Sequence, residues 1–129
     1  MHPATESLTV PSWFHINRQR GKRLSYIKQL CSRIAETFQP QRIILFGSQA
    51  ADKATADSDI DLLVVMPYEG RHTTAAIRIL QHLNVLAPID LLVRSPAEIE
   101  ERLALGDRFI AEIIEQGQVM YEAADAGMD

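Results

Sequence analysis

A chain of 129 residues with 47% hydrophobic and 23% charged residues has the size and balance of one globular domain with one core. No apolar run approaches the roughly 18 residues that cross a bilayer, residues 1–15 lack the basic-then-apolar build of a secretory signal, and Cys31 as the single cysteine leaves no internal disulfide or cysteine-rich zinc site. The formal net charge of -4 is uneven: residues 1–42 carry seven Lys/Arg against Glu6 and Glu36, and the remainder carries six against fifteen Asp/Glu, so the basic part is either a docking surface for an anionic partner or a solvated helix face. These features predict a cytoplasmic protein.

Met1 to Ile16 is mixed in character, with Pro3 and Pro11, and is expected to be a loosely docked tail. From about Asn17 the pattern changes. Leu24, Ile27, Cys31, Ile34 and Phe38 recur at steps of three and four, which is one apolar face of a helix, and Pro40 lies just past its end. Cys31 sits on that stripe and is read as a small core residue rather than a nucleophile. Arg42 to Phe46 (RIILF) is short, apolar and stopped by Gly47-Ser48, as a buried strand is. Residues 49–58 are small and polar, with alanines enough for one helical turn. Ile60 to Met66 (IDLLVVM) reads as a second strand, stopped by Pro67.

Residues 71–86, with Ile77, Leu80, Leu83 and Leu86, predict a helix, and Ile89 to Val93 (IDLLV) a third strand. Ser95-Pro96 opens a helix by cap-then-proline chemistry, carrying Ile99 and Leu103. Gly106-Asp107 interrupts it, and Asp107 caps a last helix through Ile110, Ile113 and Ile114 that Gly117 closes. Gln118 to Tyr121 is a short edge strand, and residues 123–129 form a frayed tail. The order helix, strand, strand, helix, strand, helices, strand predicts an α/β (α+β) domain over residues 17–122, with one mixed sheet flanked by helices.

The chemistry concentrates between Phe46 and Asp90. In a strand, residues i and i+2 share a face, so Asp59 and Asp61 stand side by side with Ile60 on the other face. Two carboxylates ~4 Å apart repel by roughly 4 kcal/mol at an effective dielectric of about 20, a large fraction of a domain's typical stability of about 5–15 kcal/mol. Such a pair is solvated, holds a proton or binds a cation. Mg²⁺ suits it, being hard and oxygen-seeking; polar residues exposed at a sheet end are the plainer explanation. Asp57-Ser58-Asp59-Ile60-Asp61 also imitates the start of an EF-hand loop, but Leu62 stands where the turn glycine belongs and Tyr68 where the bidentate glutamate belongs. Gly47 allows close approach to the backbone and Ser48 can cap a following helix, whose free N–H groups favour phosphate. IDLL recurs at 60–63 and 89–92, and we read it as two similar strands bringing one acid each to the same place. His2, His15, His72 and His82 have no metal-ligand spacing and are read as surface or capping residues.

FGS, ten residues, then DSDIDLLVV resembles the signature of the minimal nucleotidyltransferases of the DNA polymerase β superfamily. Asp90 in PIDLLV matches that family's third acid, and the resemblance runs over roughly residues 24–122. It implies a polymerase-β-like nucleotidyltransferase fold, with Gly47 and Ser48 holding the triphosphate and Asp59, Asp61 and Asp90 as the catalytic, metal-binding acids. It implies Mg²⁺ as cofactor, two ions with Mn²⁺ as an alternative, and ATP or another nucleoside triphosphate as substrate. Stand-alone proteins of this kind are commonly antitoxins of helical HEPN ribonuclease toxins, and some attach AMP to a tyrosine of the toxin. The resemblance therefore implies a protein adenylyltransferase with a HEPN-type toxin as partner; direct nucleic-acid binding is not favoured, and no membrane is implied.

The loop departs from the family pattern. Relatives often read GSRARG, whereas Gly47-Ser48-Gln49-Ala50-Ala51-Asp52 lacks both arginines and the last glycine. Lys53, Arg42 and Arg94 are the candidates to replace the missing charge. The loss also defines the alternative, a binding module that neutralises its partner by contact with weak or no catalysis. Transfer to a small molecule such as an aminoglycoside is less favoured, because it usually requires a further acceptor-binding domain.

Overall fold

A computed structural model describes residues 12–47, 59–85 and 87–124, with side chains described from Arg23 onward. The expectations for residues 1–11, Ser48, the loop to Ser58, Leu86 and residues 125–129 lie outside the described residues. The elements run α1 (Ser12–Phe38), β1 (Arg42–Phe46), β2 (Ile60–Val65), α2 (His72–Leu83), β3 (Ile89–Arg94), α3 (Pro96–Ala104), α4 (Arg108–Gln116) and β4 (Gln118–Glu122). This is the mixed α/β architecture the element order predicts. No helix among the described residues is long and apolar enough to cross a membrane.

The sheet order is β3-β2-β1-β4. β1 pairs antiparallel with β2 and with β4, while β2 and β3 are parallel. A parallel pair needs a long crossover, and α2 supplies it. Alternation along the strands divides the interior in two. Ile43 and Leu45 of β1, Ile60, Leu62 and Val64 of β2, and Leu91 and Val93 of β3 face α1 and α2. Ile44, Leu63 and Val65 face Ile99 of α3 and Ile110 and Ile113 of α4. β2 is thus buried on both faces, which is why it reads as a continuous apolar run. Each such side chain taken out of water contributes roughly 1.5–3 kcal/mol.

Several local expectations hold in detail. Ser95 and Glu98 form a reciprocal capping box: the Glu98 N–H donates to Ser95 Oγ at 3.1 Å and the Ser95 N–H to Glu98 Oε1 at 2.9 Å. Tyr68 donates its hydroxyl to the same Glu98 oxygen at 2.6 Å, tying the start of α3 to the segment after β2. Asp107 caps α4 through the Ile110 N–H at 3.1 Å. Cys31 is buried in the core, where loss of solvation pushes its thiol up to about 12.

Three details differ. The helix begins at Ser12 rather than near Asn17. In α2 the buried positions are Ala75, Ile79 and Leu83, whereas Ile77 is 53% exposed. A step of four along the helix satisfies the same sequence as the step through Ile77 and Leu80, and packing on β3 selects it. Gly117 ends α4 with φ -70°, not in a left-handed cap. It is a glycine for space, since a Cβ there would lie 2.5 Å from both the Ile113 carbonyl oxygen and Ile44 Cγ2.

Candidate active site

The candidate residues gather at one end of the sheet, on the face that α3 and α4 cover. In the parallel β2–β3 pair Asp61 stands opposite Asp90, just as Leu63 stands opposite Leu92. Leu63 and Leu92 both belong to the α3–α4 core, so alternation puts Asp61 and Asp90 on that same face, two residues nearer the strand starts. Asp59 precedes Asp61 by two residues and is exposed, as is Asp90, while Asp61 is half-buried. Burial first, then the charges of Asp90 and Asp59, push the Asp61 carboxyl up from its ordinary value. Asp61 therefore feels the negative charge of both other acids.

Gly47 closes over this group. It follows Phe46, whose partner across the antiparallel pair is Asp61. Its φ is 72°, a region that side-chain-bearing residues rarely adopt. A Cβ at this position would collide with Asp61 Oδ2 and lie 3.2 Å from its Cγ. The absent side chain thus makes room for a carboxylate as well as for whatever approaches the turn. Ser48 lies outside the described residues.

The donor set is all oxygen and carries excess negative charge, which fits a hard divalent cation. Among the described residues, no group of three His, Cys, Asp or Glu side chains is arranged to hold a metal ion. The strand register makes Asp61 and Asp90 neighbours and leaves Asp59 at the mouth; the side chains as they stand do not close into a three-ligand cage.

The family model for polymerase β nucleotidyltransferases matches residues 28–126, which spans both the sheet and the acids. The chain belongs to this nucleotidyltransferase family. Among solved structures, a protein assigned as a nucleotidyltransferase from Sulfolobus solfataricus superposes with a TM-score of 0.59 at 16% identity, over 81% of this chain and 85% of that one. A chain of a toxin–antitoxin complex solved with AMP-PNP superposes with a TM-score of 0.50 at 18% identity, over 78% of each chain. At these identities the likeness is one of fold. No curated protein matches the sequence.

Two of the three cations named as substitutes for the missing loop arginines are on the wrong end of this nucleotidyltransferase. Arg42 and Arg94 both pair with Val65, four residues along β2 from Asp61 and so roughly 13 Å away. Arg42 faces Glu122 at 3.7 Å, and Arg94 Nη1 donates to the Val93 carbonyl at 2.8 Å. Lys53 lies outside the described residues. The structure adds one residue that sequence reasoning passed over. Phe109, on the outer side of the Ile110–Ile113 stripe, packs edge-to-face on Phe46 with ring centroids 5.9 Å apart. Nothing in the helical periodicity marks it, because it reads as a solvent-facing position.

Proposed function

We propose that this protein transfers AMP from ATP to a hydroxyl of a partner protein, a tyrosine of a HEPN-type toxin, and acts as the antitoxin of that toxin. The observation that carries the reading is the pairing of Asp61 with Asp90 in strand register, beside the turn at Gly47 and with Asp59 close enough to raise the Asp61 carboxyl. The family supports nucleotidyl transfer. The fold neighbour from a toxin–antitoxin complex with AMP-PNP supports the partner class and the adenine nucleotide.

In this reading Asp59, Asp61 and Asp90 hold Mg²⁺ or Mn²⁺, two ions when the nucleotide is present, and Gly47 and Ser48 receive the triphosphate. A bound ion supplies positive charge to phosphate oxygens as negative charge shifts to the leaving group. The exposed carboxylate of Asp90 takes the proton of the attacking hydroxyl. The hydroxyl oxygen bonds to the α-phosphorus, the bond from that phosphorus to the bridging oxygen breaks, and pyrophosphate leaves.

The distance of Arg42 and Arg94 from the acids favours a second reading, a contact-only antitoxin with a weakened phosphate site. Intact mass of the co-expressed partner separates the two. The enzymatic reading expects one or more added AMP groups that vanish with Asp61→Asn. An unmodified partner neutralised equally by wild type and by Asp61→Asn leaves the binding module.

A further inference from the structure

We propose that Phe109 is the platform on which the base of the nucleoside triphosphate stacks. The inference rests on the reading of Asp59, Asp61 and Asp90 as the metal and phosphate end of the site, and extends it to the end that carries the nucleoside.

Five large apolar residues are exposed among those described: Ile77, Leu103, Leu105, Phe109 and Val119. Single exposed apolar residues are ordinary, so exposure alone distinguishes none of them. Position and restraint distinguish Phe109. Ile77 lies on α2, which packs on the opposite sheet face, and Val119 lies on the edge strand β4. Leu103 and Leu105 belong to the end of α3 and its turn. Phe109 alone of the five is an aromatic ring joined to the acids by an unbroken line of neighbours. Asp61 stands opposite Phe46, and Phe46 meets Phe109 edge-to-face at an interplanar angle of 84°.

The ring rests on a packed neighbour while most of it stays open. Phe46 is half-buried against the Ile44–Leu63–Ile110 core and gives Phe109 a surface to lean on. α4 is capped by Asp107 two residues before Phe109, which fixes the backbone that carries the ring. Phe109 nevertheless remains 56% exposed. A restrained, half-open aromatic presents a stacking surface with little rotamer freedom left to lose on binding.

The spacing suits one nucleotide. Residues opposite one another in an antiparallel pair have Cβ atoms roughly 5 Å apart, and the Phe46–Phe109 centroid distance is 5.9 Å. The Phe109 ring is therefore separated from Asp61 by one intervening side chain, that of Phe46, a gap that the nucleoside attached to a phosphate held at the acids would span. Every base has a π-face, so stacking of this kind recognises nucleoside triphosphates as a class. It also supplies binding energy on the nucleoside side in a protein whose loop offers few cations to the phosphates.

The test compares ATP with inorganic tripolyphosphate, which has the phosphates and no base. Each is titrated calorimetrically, with Mg²⁺ present, into wild type, Phe109→Leu and Phe109→Trp. Leucine keeps apolar bulk against Phe46 and removes the π-face; tryptophan restores one. The expected result is about tenfold weaker ATP binding in Phe109→Leu, the scale of one lost base–aromatic stack, with tripolyphosphate binding unchanged and ATP affinity recovered in Phe109→Trp. Equal ATP affinity in wild type and Phe109→Leu overturns the stack, and so does an equal loss for both ligands, which would mark distortion of the phosphate end. Unchanged ATP affinity with a raised KM for the partner protein assigns the ring to the acceptor and also overturns it. Wild type that binds neither ligand defeats the nucleotidyl-transfer reading itself, an outcome distinct from the others.

Discussion

Replacing Asp61 by asparagine should make the metal-free protein more stable, although it removes a residue from the heart of the site. Asp61 and Asp90 stand opposite each other on adjacent strands, which lie about 5 Å apart. Coulomb's law at that separation gives about 3 kcal/mol at an effective dielectric of 20 and under ~1 kcal/mol in water. Asp90 is exposed and Asp61 half-buried, so solvent screening puts the repulsion near the lower figure, about 1 kcal/mol. For a domain of this size that corresponds to a rise in Tm of roughly 4 °C, read by thermal unfolding in EDTA at neutral pH. The sign with pH follows from the direction of the shift. Because the folded carboxyl is raised above its ordinary value of 3.8, the folded chain binds this proton more tightly than the unfolded one. The penalty is fully present above the folded pKa and is lost as pH falls through it and below the unfolded value, so the advantage of Asp61→Asn should shrink on acidification and be gone only below 3.8. Mg²⁺ or Mn²⁺ should reverse the ranking at neutral pH. A hundredfold excess over the dissociation constant stabilises wild type by about 2.7 kcal/mol, while the Asp59→Asn, Asp61→Asn double variant should lose the response. A metal-free Asp61→Asn protein less stable than wild type by ~1 kcal/mol or more, or a double variant that keeps the full metal shift, refutes the argument.

Two further outcomes follow from the packing. Gly117→Ala sets a methyl 2.5 Å from the Ile113 carbonyl oxygen and the Ile44 side chain, and should lower stability by about 2 kcal/mol in urea unfolding with the metal response intact; a neutral effect would show that the junction of α4 and β4 gives way easily. The thiol of Cys31, pushed up to about 12 by burial, should resist alkylation at pH near 8 until the chain unfolds, and rapid labelling of native protein would contradict the core assignment of α1.

Much of this molecule is written locally. RIILF, IDLLVV and IDLLVR become strands because short β-branched and leucine runs between breakers suit a doubly covered sheet. Ser95-Pro96 and Asp107 start helices where expected because a cap needs only its own next three residues. The spacing from Gly47 through Asp59 to Asp61 resembles its family for a similar reason: a turn, and two positions two residues apart at the start of the following strand, are set by adjacent stretches of chain. Long-range packing was legible only in part. The α2 sequence admits two stripes, and contact with the sheet turns Ile79 inward and Ile77 outward. The repeated IDLL and the family resemblance led to the expectation that Asp61 and Asp90 come to one place, but the register that realises it, and that sets Phe46 opposite Asp61, is a pairing between segments far apart in sequence, fixed by which slip would expose the core. The same pairing sends Arg42 and Arg94 to the far end of the sheet, although their sequence positions beside two active strands made them natural candidates for the phosphates. Phe109 carries no sequence signal at all, since what sets it against Phe46 is the packing of α4 against β1, a contact that side-chain periodicity cannot encode.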